Sequence, residues 1–382
     1  MTDEAGGFYS AQDAGDYDEE GDYYTWKKSE IQDVLTGEEY ARFDQIFRVT
    51  PKGNFEHNRN VLHMHSSIKH PDPEFDPLLK SAYQQLLTRR DTRKKVRLDD
   101  KVLTAWNGFM IAAMSKGYQV LGDTKYLDAA QKAAVFLKQS LRQNDGRLYR
   151  RWWGGEAGKD PIVNDYAYLI YGLIELYQSD FDPTWITWSL ELQRIQDTDF
   201  WDAKNGGYFF TTTLDPTLLA PAKKYDDMAM PTGNSIAAIN LLKLRDLTYS
   251  QEYDSRVIQL FRATASRVDR MPFAHAQLLT ALDYMQDRSK EVAIIQEKGA
   301  KSPVILLKSL RSKFLPNQVI ALSQGESDKN PIILLNRKKP LGQTTVYICE
   351  QGSCKQPLKN IDKIMKTVDS YRSLRPSGAG KN

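Results

Sequence analysis

The run 103–118, LTAWNGFMIAAMSKGY, places apolar residues at nearly every helical azimuth: Leu103, Ala105, Trp106, Phe109, Met110, Ile111, Ala112, Ala113 and Met114. A helix that is apolar all round has to be buried all round. After a break at Gly122 and Asp123, residues 124–141 read differently. Tyr126, Leu127, Ala130, Ala133, Ala134 and Leu137 form one stripe, while Lys125, Asp128, Lys132 and Lys138 face away. The pair then recurs. Residues 165–177 are apolar on most sides and 184–200 are amphipathic; 235–247 and 252–268 repeat the alternation; 273–285 open a fourth pair. The second helices start alike, at Asp123-x-x-Tyr126, Asp182-x-x-Trp185 and Ser250-x-x-Tyr253, with a capping residue three before an aromatic. Alternating buried and half-wet helices predict two concentric layers. That is a mainly α fold, an α/α toroid whose inner helices line an axis; a flat solenoid would show two similar one-sided helices per repeat.

Between the helices, Gly6-Gly7-Phe8-Tyr9-Ser10 resembles Asn205-Gly206-Gly207-Tyr208-Phe209-Phe210 and, more loosely, Asp145-Gly146-Arg147-Leu148-Tyr149. The two later copies sit between an outer helix and the next inner one, so they read as β-hairpins capping one end of the toroid. By the same logic the first copy should follow an outer helix, and the chain is expected to start inside a domain. Residues 1–288 are accordingly read as a partial barrel, incomplete at its N-terminus, with 76–90 as an outer helix beside the first visible pair. An open flank would expose apolar surface, so self-association is expected. Residues 289–358 change character, with strands at 291–295, 318–322, 332–335 and 344–349 and a helix at 303–314. They read as a small α/β appendage whose first two strands are parallel through a right-handed crossover. Residues 359–382 form a polar tail.

Composition changes this picture little. The chain has 382 residues, 41% of them hydrophobic, enough for a large core. A net charge of +3 points to neither a nucleic acid nor an anionic membrane. No apolar run reaches membrane-spanning length and no leader-like segment follows Met1, so a cytoplasmic protein is expected. Two cysteines exclude a disulfide framework, and Cys349 and Cys354 are read as free thiols. The acidic stretch from Asp13 to Asp22 lacks the spacing of a calcium loop and reads as a solvated turn. His57, His63, His65 and His70 share no helical face and have no cysteine partner, so no metal is expected. The basic run 89–97 reads as a cationic helix end without interleaved aromatics, so no nucleic acid is expected. No cofactor is expected either.

Chemistry concentrates in the segments before the inner helices. These are Asp99-Asp100-Lys101 with Trp106-Asn107, Asn164-Asp165-Tyr166, Thr232-Gly233-Asn234-Ser235, and Phe273-Ala274-His275. In a toroid these N-termini share one mouth, where positive helix ends add to the field. Aromatics beside carboxylates and amides suit a carbohydrate-like small molecule. The candidate catalytic residues are Asp165, Asp100 and His275. The candidate binding residues are Lys101, Trp106, Asn107, Tyr166 and Asn234, with Asp13 from a neighbouring loop. A hydrolase needs two carboxyls, one protonated. Lys101 would keep Asp100 ionised and leave Asp165 as the proton donor. An epimerase needs bases on both faces of a sugar carbon, and His275 alone is well placed for that. Asp100, Asp165 and Ser235 read equally as helix caps and His275 equally as a core histidine, while Trp106 reads as core ahead of platform.

Several segments together resemble a known family. They are GGFYSAQDAGDYDEEGDYYTW, the GNF at 53–55, DDKVLTAWNGFMIAA, NDYAYLIYGL, PTGNSIAA, AHAQLLTALD and YICEQGSC, in order from Gly6 to about Pro357. They are similar to the family built from an N-terminal thioredoxin-like domain and a six-hairpin α/α barrel, which includes the spermatogenesis-associated thioredoxin-domain proteins. The resemblance implies an (α/α)6 barrel related to N-acylglucosamine 2-epimerase and the six-hairpin glycosidases, with the thioredoxin-like domain and the first barrel helices missing here. By fold analogy it implies a sugar epimerase or isomerase, or a glycoside hydrolase. The alternative is a non-catalytic barrel that binds a ligand or partner, its chemistry lying in the missing domain.

Overall fold

The computed structural model describes residues 1–15, 20–64, 76–212, 221–287, 290–300, 302–323 and 331–370. His65, His70, the acidic residues 16, 18 and 19, and the end of the polar tail lie outside them. The chain divides into two units, one made of Met1 and Ser10–Asp100, the other of Thr2–Tyr9 and everything from Lys101 onward.

The first unit contains β1 (Ala11–Gln12), α1 (Lys28–Val34), α2 (Gly37–Phe47), α3 (Pro77–Asp91) and β2 (Leu98–Asp99), with β1 and β2 antiparallel. Its core joins Trp26, Ile31, Phe43, Ile46, Leu79 and Leu86. The helix expected at 76–90 runs from Pro77 to Asp91 with Asp76 as its cap, and it packs on α1 and α2 inside this unit. Thr36 and Glu39 cap α2 reciprocally. The same Glu39 carboxylate accepts hydrogen bonds from Ser81 and Gln85 of α3, at 2.6 and 2.7 Å. The Ser81 bond, with the cap bonds and Gln85, holds its carboxyl down at about 2.

The second unit opens with β3 (Val102–Leu103), α4 (Thr104–Leu121) and α5 (Thr124–Ser140). The hairpin β4 (Arg151–Trp153) and β5 (Glu156–Gly158) follows, then α6 (Val163–Asp180), α7 (Pro183–Phe200), α8 (Gly233–Thr248), α9 (Gln251–Arg270) and α10 (Ala276–Gln286). Helices α4, α6, α8 and α10 pack on one another in succession, while α5, α7 and α9 each cover the helix before them. This is the expected alternation of layers, a partial α/α toroid. Helices α6 and α8 are buried almost all round. Helix α4 is not, since Trp106, Ala113, Val120 and Leu121 are exposed. It has α5 and α6 on one flank and, among the described residues of this unit, no inner helix on the other. Asp123 and Asp182 cap α5 and α7 as expected, accepting from Lys125 and Thr184 N–H at 3.0 and 2.9 Å. Ser250 makes no such bond.

Two glycines set the spacing of the central helices. A Cβ on Gly108 would lie 2.4 Å from the Tyr168 backbone, and one on Gly172 would lie 2.4 Å from the Gly108 carbonyl oxygen. The α4 and α6 backbones touch there, which only glycine permits. Farther along, Glu175 of α6 is fully buried and pairs with Lys243 of α8 and, at 2.7 Å, with Lys116 of α4. Burial alone would raise its carboxyl; the two lysines reverse this and hold it at about 2.

The three glycine hairpins form as read. Phe8 bridges Thr2, Leu148 bridges Arg142 and Tyr208 bridges Trp201, each in antiparallel register. Gly6, Gly146 and Gly206 take the positive φ values these turns need, 114°, 90° and 73°.

The C-terminal sheet comprises β6 (Lys290–Ile295), β7 (Gln318–Ser323), β8 (Thr345–Glu350) and β9 (Ser353–Cys354), in the order β7-β6-β8-β9. Strands β6 and β7 are parallel, as expected, and α11 (Val304–Arg311) connects them. Helix α12 (Ile361–Ser370) packs on α11. Two readings need correction. Ile332–Leu335 is not a strand; Ile333–Leu335 is a single 3-10 turn that puts Leu334 and Leu335 into the core and leaves Ile333 exposed. Cys349 and Cys354 are not free thiols but a disulfide. Gln351 and Gly352, at φ 52° and 77°, form a two-residue hairpin turn that sets the two cysteines directly opposite. No described helix is long and apolar enough to cross a membrane.

Gly108→Ala should cost about 1–3 kcal/mol or more, because the added methyl meets backbone rather than a yielding side chain. Gly158→Ala, with nothing within 4 Å of the new Cβ, should stay within about 0.5 kcal/mol. Urea denaturation of both variants checks this, and equal midpoints would refute the glycine contact.

Candidate functional site

At the N-terminal ends of α4, α6 and α8 lies a cavity of about 290 Å³. Leu103, Trp106, Arg150, Asp165, Tyr168, Phe210, Lys224, Asp226 and Met228 are among its walls. All belong to the second unit. The volume falls just below the usual range for small-molecule sites, about 300–1,000 Å³.

Asp165 is 1% exposed and links two inner helices. Its Oδ1 accepts from Ala105 N–H of α4 at 3.1 Å, and its Oδ2 from Ile162 N–H at the start of α6 at 2.9 Å. Burial pushes its carboxyl up to about 7; the two N–H bonds and the Arg150 charge oppose the rise without cancelling it. Asp227 repeats the device two steps around the ring, between α8 and α10. It accepts from Thr232 N–H before α8 and from Gln277 N–H of α10, at 2.8 and 2.9 Å.

Three other predicted residues hold hairpins. Asn107 accepts from Phe8 N–H at 2.8 Å and donates to the Phe8 and Leu103 carbonyls. Asn234 accepts from Tyr208 N–H at 2.7 Å and donates to the Tyr208 and Lys224 carbonyls. Tyr166 accepts from Leu148 N–H through its buried hydroxyl at 3.2 Å, and burial pushes that phenol well above its ordinary value. Phe8, Leu148 and Tyr208 occupy the same place, two residues after the turn glycine. Asn107, Asn234 and Tyr166 are therefore anchors inside the wall and do not line the cavity.

Trp106 does line it, with the residue 41% exposed. His275 is 1% exposed. Its Nδ1 lies 2.9 Å from the Met271 carbonyl oxygen, and its Nε2 faces Asp226 Oδ1 at 3.2 Å. It therefore backs Asp226, whose side chain is 55% exposed and lines the cavity. Lys101 is half-buried and is not among the lining residues. Asp13 and Asp100 belong to the first unit and are exposed there. Among the described residues no group of three or more His, Cys, Asp or Glu is arranged to hold a metal ion.

Sequence reasoning missed Arg150, Lys224, Asp226 and Asp227. A signal existed for the first. Arg150 and Phe210 both stand four residues after a turn glycine, Gly146 and Gly206, and both line the cavity. The outgoing strand of each hairpin leads to the mouth. The other three follow from a loop with no periodicity to read.

No family model matches the chain. It is similar to spermatogenesis-associated protein 20 of Homo sapiens, at 30% identity over 417 aligned positions covering 96% of this chain. The protein of that name from Rattus norvegicus matches at the same identity and the same coverage. The chain spans about half of these relatives, 52% of their length. Among solved structures, it is similar to a family 76 α-mannanase from Bacteroides thetaiotaomicron, at 13% identity and a TM-score of 0.41, covering 72% of this chain and 64% of that one. A cellobiose 2-epimerase from Bacillus thermoamylovorans aligns at 17% identity and a TM-score of 0.36, covering 42% of this chain and 44% of that one. Likeness at these scores says nothing about chemistry.

Asp165→Asn should cost about 1–3 kcal/mol, because one end of the amide turns a donor toward a backbone N–H. The pH dependence has a definite sign. Between the ordinary carboxylate value near 4 and about 7, the folded chain holds a proton that the unfolded chain has released. This group's stabilising contribution is whole below pH about 4 and is lost as pH rises through 7. Urea denaturation from pH 4 to 8 should show a steeper slope in the native protein than in the variant, which keeps the contribution of Asp197, raised by burial to about 6. Identical slopes would sink the assignment.

Proposed function

We propose that this chain is the barrel portion of a protein of the spermatogenesis-associated, thioredoxin-domain-containing family, and that it binds a carbohydrate-like small molecule in the cavity at the inner-helix N-termini. The observation that carries this reading is Trp106. The residue is 41% exposed and lines a cavity that also presents Arg150, Asn164 and Asp226. An open aromatic face beside charged and amide groups matches a molecule with one CH face and many hydroxyls.

The favoured chemistry is acid-assisted hydrolysis. The cavity holds two carboxyls in unlike settings, Asp165 buried with its carboxyl near 7 and Asp226 open to solvent. One buried carboxyl that keeps its proton and a second, open one are the two acids that such hydrolysis uses. Epimerisation fits less well, because the buried His275 sits behind Asp226. A second reading, binding without turnover, is favoured by one observation: both Asp165 oxygens already accept backbone hydrogen bonds. Product formation from a bound disaccharide would separate the two.

Calorimetry with a panel of mono- and disaccharides tests the binding. Trp106→Ala should weaken it by about 1–2 kcal/mol, the stacked area lost, and leave the melting temperature nearly unchanged. If no sugar titrates and the variant instead loses about 3–5 kcal/mol of stability, as a core tryptophan would, the reading fails.

A further inference from the structure

The cavity wall carries two cations whose side chains form no hydrogen bond or ion pair among the described residues, Arg150 and Lys224. Neighbouring basic residues behave otherwise. Arg147 pairs with Asp199 at 2.7 Å, and Lys223 donates to Asp202 at 2.6 Å. Lys224 instead lies over the Phe210 ring, 3.7 Å from its centroid. An aromatic face steadies an ammonium without neutralising it.

Both cations stand on anchored backbone. The Arg150 N–H donates to the Lys159 carbonyl at 3.0 Å, and the Arg150 carbonyl accepts from Thr104 N–H, the first residue of α4, at 3.0 Å. The Lys224 carbonyl accepts from the Asn234 amide of α8 at 2.9 Å. Neither cation forms an ion pair with the acids nearby among the described residues. Asp226 faces His275, and Asp165 is occupied by two N–H groups and kept largely uncharged below neutrality by burial. The N-termini of α4, α6 and α8 add partial positive charge at the same place.

We infer that the molecule bound here is an anionic sugar, its carboxylate or phosphate taken up by Arg150 and Lys224 while its ring lies on Trp106. This rests on the sugar-site reading and names its substrate class. A guanidinium donates paired hydrogen bonds to either anion, so the test includes both.

The test is calorimetry on the full chain with matched pairs. Glucose, galactose and mannose are compared with glucuronate, galacturonate and the corresponding 6-phosphates, and with inorganic phosphate. At least one anionic member should bind about tenfold or more tighter than its neutral parent. The preference should shrink as salt rises. Whether the uronates or the phosphates gain identifies the anion. Arg150→Gln with Lys224→Gln should bring the ratio of anionic to neutral binding close to one; both side chains are exposed, and circular dichroism checks that the variant folds. Equal binding of neutral and anionic sugars overturns the inference and leaves the sugar site standing. Inorganic phosphate binding as tightly as the sugar phosphates overturns it too. Failure of every sugar, charged or not, to bind the folded chain overturns both.

Discussion

The contact between Gly108 and Gly172 decides how α4 meets α6, and the mouth is built from that crossing. With their backbones touching, the helix starts are near enough for one carboxylate to serve both. Asp165 does so, taking Ala105 N–H from α4 and Ile162 N–H from its own first turn. Larger residues at the crossing would move the helix axes apart by roughly a side chain's width. The Asp165 bridge would open, and with it the floor of the cavity.

Around this crossing the second unit repeats two devices. A carboxylate ties neighbouring helix starts together, Asp165 for α4 and α6 and Asp227 for α8 and α10. A polar side chain near the start of α4, α6 and α8 grips a hairpin, Asn107, Tyr166 and Asn234 in turn. Most of the conspicuous polar residues at the mouth are thus occupied in holding it together. The groups left facing the cavity are different ones: Trp106, Arg150, Lys224 and Asp226.

Helix α6 carries two buried carboxyls with opposite behaviour. Glu175 is held near 2 by Lys243 and Lys116, while Asp165, with only backbone N–H groups and a more distant Arg150, rises to about 7. Burial acts on both, and the difference is the presence of a cation in contact. One end of the helix is tied by charge to its neighbours. The other is left with a proton that can be exchanged near neutral pH.

The layered architecture was legible in the sequence, because it depends on local periodicity. A helix apolar all round and a helix with one wet stripe occupy different layers in almost any arrangement, and α6, α7, α8 and α9 followed that rule. The glycine hairpins were legible for the same reason, since their turns need positive φ within a few residues. What the sequence could not determine was direction. Asn107 and Trp106 are adjacent in one helical turn, yet one points into the wall and the other lines the cavity. The exposed stripe of α4 depends on which helices stand beside it, and the Cys349–Cys354 disulfide on a strand register. Arg150 and Lys224, about seventy positions apart along the chain, share one cavity wall only because α4 and α8 begin at the same end of the toroid. Periodicity and turn chemistry are short-range properties written into a few residues at a time; which side chains face one another across the mouth is settled by packing between helices far apart in the chain.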